Sequence, residues 1–179
     1  RLTIGGRGQL CQAQRSRVLD GGGLGHGCLG WGQRRTRGPV SLGSTQRSRA
    51  VATCSLVAVG ADGGPVSVAE DGDPERDIIM WMDHRAADET AAINATGDPA
   101  LAYVGGEASI EMELPKVLWL QRHFPDRYRA AARFFDLADY LVWRCCGADT
   151  ASVCTLTCKW NYLAHEGRFP EAMLRAVGL

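Results

Sequence analysis

The side chains able to do chemistry in this sequence are seven cysteines, four histidines and a small set of charges placed beside tryptophans. Cys154 and Cys158 stand at a loose metal-ligand spacing, while Cys11, Cys28, Cys54, Cys145 and Cys146 and His26, His84, His123 and His165 are scattered along the rest. A structural zinc site takes four ligands, commonly as two closely spaced pairs. No second pair lies at a matching interval, and the adjacent Cys145 and Cys146 cannot easily both face one ion. The pattern therefore predicts small thiols buried on element faces rather than a metal centre. An odd cysteine count and the lack of a secretory signal point to a reducing, cytoplasmic setting.

The charges of interest are Lys159, which precedes Trp160, and Asp83, which lies between Trp81 and Arg85. Taken singly, Lys159 reads as a solvated lysine and Asp83 as the cap of a helix starting at His84. Trp81 and Trp160 read as core or half-buried aromatics. Whether these residues do more depends on the elements that position them.

From Val51 the chain has the texture of a folded domain. Thr53 to Val59 reads as a strand, Gly60 to Gly64 as a turn and Pro65 to Ala69 as a returning strand, together a hairpin. Asp77 to Met82 is mostly large and apolar and reads as a buried strand ended by Asp83. Helices are predicted from His84 to Ile93, stopped by Gly97-Asp-Pro99, and from Leu114 to Phe124, with Pro115 at a tolerated first-turn position. Leu114, Val117, Leu118, Gln121 and Phe124 share one face of the second, which makes it a core helix. A short helix is expected from Asp126 to Arg133. Another runs from a cap at Asp136 through Leu137, Tyr140, Leu141 and Arg144 to a stop at Gly147. Ser152 to His165 is rich in Cys and Thr, and a last helix covers Pro170 to Val177. Strands alternating with helices predict an α/β layered domain.

The whole chain of 179 residues balances 20 bases against 20 acids and is 45% apolar, as in an ordinary globular domain. Charges, prolines or glycines break every apolar run well before it could cross a bilayer, which argues against a membrane protein. The balance conceals an asymmetry. Residues 1–50 hold nine Arg, no Lys and one acid, Asp20, whereas 51–179 hold 11 bases and 19 acids. The first fifty also carry 12 of the 22 glycines and no Phe or Tyr, so they cannot bury enough to offset chain entropy. They are expected to be a disordered leader, or an out-of-frame reading, ahead of a domain at 51–179. As an RNA-binding arm the leader lacks aromatics between its arginines, having only Trp31, so a nucleic-acid partner is not expected.

Five short strings are more specific. Ala52-Thr-Cys-Ser-Leu-Val57, Trp81-Met-Asp-His-Arg85, Glu111-Met-Glu-Leu-Pro-Lys-Val-Leu-Trp-Leu120, Phe135-Asp-Leu-Ala-Asp-Tyr-Leu-Val-Trp-Arg144 and Cys154-Thr-Leu-Thr-Cys-Lys-Trp160 occur in this order. Read together, they resemble the FGGY carbohydrate kinases, most of all the ribulokinase-like branch. The resemblance covers about Ala50 to Glu166 and implies part of the N-terminal, sugar-binding domain of an actin-like, ribonuclease-H-like fold. It implies ATP-dependent transfer of phosphate to a sugar or polyol hydroxyl, a chemistry of positioning and charge neutralisation. The alternatives are a non-enzymatic sugar-binding or interaction module, and an RNA-associated protein acting through the leader.

Carried onto this sequence, the resemblance assigns Ala52 and Thr53 to a strand end that approaches the sugar, with Val51 where the family usually has Asp. Lys159 becomes a lysine that reaches the sugar, and Trp81 and Asp83 line the cleft while Arg85 braces the loop. Glu111, Asp136, Asp139 and Trp143 fall at positions that shape the fold. Other family elements have no counterpart here: the Asp-x-Gly-Thr phosphate turn, the second-domain catalytic base and the glycine-rich adenine loops. ATP and Mg2+ are thus implied for the full-length family, with their binding elements absent from this chain, which is expected to be inactive alone. The sugar is the implied partner, and a homodimer is left open for the full-length protein.

Overall fold

The computed structural model describes residues 54–179 and, ahead of them, the backbone of two short strands, β1 (Ile4–Gly5) and β2 (Gln9–Leu10), which pair antiparallel. The other leader residues, and with them most of the expected disorder, lie outside the described residues, as do Ala52 and Thr53.

The centre is a three-stranded antiparallel sheet in which β3 (Leu56–Gly60) lies between β4 (Ile78–Ile79) and β5 (Ala131–Asp136). Alternation along β3 sends its side chains to opposite faces. Leu56 and Ala58 join the larger core with Ile79, Ile93, Val117, Leu118, Leu120, Met173 and Leu174. Val57 and Val59 pack on the other face with Phe135, against Leu137, Tyr140 and Trp143. Helices α1 (Ala87–Asn94), α2 (Glu113–His123) and α6 (Glu171–Val177) supply the first layer, and α4 (Leu137–Cys146) the second. This is the layered α/β arrangement the sequence predicts.

Several elements follow their sequence signals closely. α2 begins one residue before the expected Leu114 and is buried from Glu113 through Leu120, so it is enclosed on all sides rather than on one stripe. Asp136 caps α4 by accepting from the amide of Ala138 at 2.9 Å, and Gly147 ends it at φ 69°. The turn after β3 closes where Gly60 N donates to Gly64 O at 2.9 Å. Gly63 sits there at φ 80°, with the Trp143 ring 3.3 Å from where a Cβ would stand.

Four expectations need correction. The returning strand Pro65–Ala69 shrinks to a bridge between Val59 and Pro65, with Val66 N donating to Ala58 O at 3.1 Å, because β4 pairs with Leu56 and Val57 and so takes the rest of that edge of β3. The helix after Pro125, α3 (Pro125–Ala130), stops short of Arg133. Residues 131–136 instead form β5, whose Phe134 and Phe135 alternate between the two faces opposite Ala58 and Val57. Asp83 does not cap a helix from His84: α1 starts at Ala87 with no side-chain cap, since Arg85 holds the Asp83 carboxylate. Finally, Cys145, Cys146, Cys154 and Cys158 are exposed rather than buried, and Cys54 is half-buried. The segment from Ser152 contains a further helix, α5 (Val153–Lys159).

Candidate functional site

The strand register determines which residues meet. Leu56, the first residue of β3, stands opposite Ile79 at the end of β4 and Asp136 at the end of β5. Cys54 and Ser55, the segment 80–83 and Asp136 therefore collect at one end of the sheet. The N-terminal turn of α2 and the last residue of α5 border the same end, bringing Glu113, Lys116 and Lys159 to it.

Trp81 is fixed there by its backbone. Its amide donates to Ser55 Oγ at 3.3 Å and its carbonyl accepts from Lys116 Nζ at 3.2 Å, leaving the side chain 40% exposed. Lys116 is wholly buried, and its ammonium also donates to the carbonyls of Ile110 at 3.3 Å and Met112 at 3.4 Å. Burial pushes its pKa down, and the nearby Glu113 and Asp83 carboxyls oppose that shift.

Asp83 is held in a two-pronged pair, its Oδ1 accepting from Arg85 Nε at 2.9 Å and its Oδ2 from the terminal guanidinium nitrogen at 2.6 Å. These bonds keep the carboxyl below its ordinary range against the opposing effect of burial. Arg85 also donates to Val68 O at 3.1 Å and lies over the Trp119 ring, 4.8 Å from its centroid. It braces the 81–85 loop against the body of the fold. A groove of ≈ 650 Å³ begins on the other side of this brace, lined among others by Val68, Glu70, Asp77, Ile78 and Arg85. Neither Trp81 nor Lys159 lines it.

Lys159 ends α5 and is half-buried, close to the Cys54 thiol. Cys54 has φ 49°, a left-handed conformation that side chains other than glycine seldom adopt. Burial pushes this thiol up, and the nearby Lys159 ammonium partly offsets that. Behind Cys54 lie Glu113 and Asp136, 0% and 1% exposed. Burial and the neighbouring Asp136 carboxyl push Glu113 up to about 8. Neither Glu113 oxygen, nor Asp136 Oδ2, has a donor among the described residues. A proton retained on Glu113 and donated to Asp136 supplies the missing one.

The structure thus brings Trp81, Asp83 and Lys159 to one end of the sheet, with Cys54 beside Lys159 at the same end. Sequence reasoning missed the buried support of Lys116 and Glu113. Its signal was available, because two charges that straddle Pro115 interrupt an otherwise apolar run from Met112 to Leu120.

A small sheet covered by helices on both faces, with a loop, a strand start and a helix end converging at one end of its strands, defines an α/β domain. The profile of the FGGY family of carbohydrate kinases, N-terminal domain, matches residues 48–179, and the chain belongs to that family. An FGGY carbohydrate kinase domain-containing protein of Homo sapiens is 42% identical over 129 residues, 72% of this chain and 23% of that protein. A D-ribulokinase of Saccharomyces cerevisiae is 44% identical over 135 residues, 72% of this chain and 19% of the relative. The chain therefore spans about a quarter or less of the length of these relatives. A crystal structure of a xyloylose kinase from Brucella ovis superposes with a TM-score of 0.54 at 19% identity, over 71% of this chain and 25% of that one. That likeness is one of fold.

Proposed function

We propose that residues 51–179 are the sugar-holding part of a kinase that transfers phosphate from ATP to a hydroxyl of a sugar or polyol, a ribulose-type pentulose in the first instance. The observation that carries this reading is the convergence of Trp81, Asp83 and Lys159 with Cys54 at one end of the sheet. In the relative named a D-ribulokinase the matching segment is 44% identical, which favours the pentulose.

The residues divide the task by chemistry. The Lys159 ammonium donates to sugar oxygens and, being cationic, also suits the phosphate of a product. The Asp83 carboxylate, oriented by Arg85, retains lone pairs to accept from sugar hydroxyls. The half-exposed Trp81 ring offers an apolar wall, its backbone pinned from below by Lys116. Ala52 and Thr53, which directly precede Cys54 in the sequence, are assigned to sugar contact on the family resemblance.

The described residues do not fit a site for Mg2+ and ATP. Among them no group of three or more His, Cys, Asp or Glu side chains comes together, and Asp83 is already engaged by Arg85. The buried Glu113–Asp136 pair retains a proton, the opposite of what a cation site needs. No Asp-x-Gly-Thr turn occurs anywhere in the sequence. We accordingly assign this chain binding and orientation of the sugar, with phosphoryl transfer left to the longer family proteins.

Calorimetric titration of the chain with D-ribulose, L-ribulose, D-xylulose and ribitol tests the assignment. Saturable binding of at least one, together with no ATP consumption in its presence, is expected. ATP-dependent phosphorylation by the purified chain would overturn the division of labour, and binding of none would overturn the sugar reading itself.

A further inference from the structure

The sugar reading leaves unused the pair of thiols that the sequence singles out. Cys154 and Cys158 stand four residues apart on α5, a spacing that puts two side chains on one helix face as neighbours. Both are exposed, and Cys154 is near enough to Cys158 to influence its thiol. The two sulfurs are thus already side by side and open to solvent. Burial, then the proximity of Cys154, keep the Cys158 thiol protonated above its usual range.

The number of donors decides what such a pair can hold. Zinc sites need three or four protein ligands, and no group of three or more His, Cys, Asp or Glu gathers among the described residues. Two soft sulfurs alone suit a thiophilic centre that is satisfied by two thiolates. The helix carrying them is held in place, because Asp139 of α4 accepts from Ser152 N at 2.9 Å and from Thr155 Oγ1 at 3.1 Å. Cys145 and Cys146 form a second exposed couple, but successive helix residues diverge, and Cys146 Sγ already donates to the Val142 carbonyl at 3.1 Å.

We propose that Cys154 and Cys158 form a dithiol site for trivalent arsenicals and similar soft, two-thiolate centres. With an organoarsenic(III) oxide the step balances without any redox change. Two As–S bonds form, the As–O bonds break, and the two thiol protons leave with the oxide oxygen as one water. The proposal does not rest on the sugar reading.

The test treats the full 179-residue chain, reduced beforehand, with phenylarsine oxide. One phenylarsenic group less two hydrogens should be added by intact mass, with two thiols lost to thiol titration. A dithiol such as 2,3-dimercaptopropanol should remove it at concentrations where 2-mercaptoethanol does not. Cys154→Ser and Cys158→Ser should each weaken retention at least tenfold, with circular dichroism unchanged, whereas the double variant Cys145→Ser/Cys146→Ser should behave as the parent. Arg144 and Lys159 bound a tryptic peptide that carries all four thiols, so fragment ions after alkylation show directly which two were protected. Protection of Cys145 and Cys146 instead, or retention indifferent to loss of either Cys154 or Cys158, would overturn the proposal.

Discussion

The ammonium of Lys116 donates to the carbonyl of Trp81 at 3.2 Å, joining a buried helix to an exposed loop 35 residues away in sequence. With its bonds to Ile110 and Met112, this one side chain ties the entry to α2 and the β4 exit into a single unit. The tryptophan's place at the end of the sheet is thereby set from inside the core.

The Lys116→Met substitution keeps the stem but removes the donor, so buried carbonyls lose their partner at a cost of about 1–3 kcal/mol for each one left dry. Urea denaturation should show a lower midpoint. The Trp81 loop should also exchange its amides faster than α6, which Lys116 does not touch. An unchanged midpoint would mean that water takes over the ammonium's role.

Glu113 gives the fold a pH dependence of defined sign. Its folded pKa, about 8, lies above its ordinary value of 4.5, so the folded state binds more protons than the unfolded one between those values. The stability it supports is complete below about pH 4.5 and is lost as pH rises through about 8. In Glu113→Gln, which still offers a donor to Asp136, that decline should flatten. Melting curves from pH 5 to pH 9 on parent and variant check this, once the rest of the chain's titration is subtracted as the common background.

Asp139 holds α5 to α4 through Ser152 and Thr155. The Asp139→Ala substitution removes both acceptors and should cost about 1–3 kcal/mol, since hydrogen bonds to a charged group are among the stronger ones. The loss is local. Hydrogen exchange should rise over 152–159 while β3 stays protected.

Much of this was legible beforehand where a local signal and tertiary packing agree. Asp136 and Gly147 bracket α4 as caps because each acts within its own turn, and Pro115 marks the start of α2 for the same reason. The reading failed where a partner that cap and period rules do not consider decided the outcome. Asp83 looked like a cap until Arg85 took its carboxylate. Phe134 and Phe135 looked like a helix exit until β3 offered them a ladder. Lys159, read alone, is a surface lysine. Its contact with Cys54 spans more than a hundred residues of chain, a relation that no local spacing encodes. The family strings assigned Lys159 and the Ala52-Thr53 pair to the sugar, but neither they nor periodicity foresaw the contact with Cys54.

The central claim is that Lys159 holds the sugar at the end of the sheet, and a titration of parent and Lys159→Ala with D-ribulose, followed by amide chemical shifts, tests it most directly. Saturable shifts confined to residues 54–55, 80–83 and 159–161 of the parent, weakened at least tenfold in a variant with unchanged circular dichroism, are the predicted result. Equal affinity in both proteins, or shifts gathered around Glu70 and Asp77 instead, would contradict it.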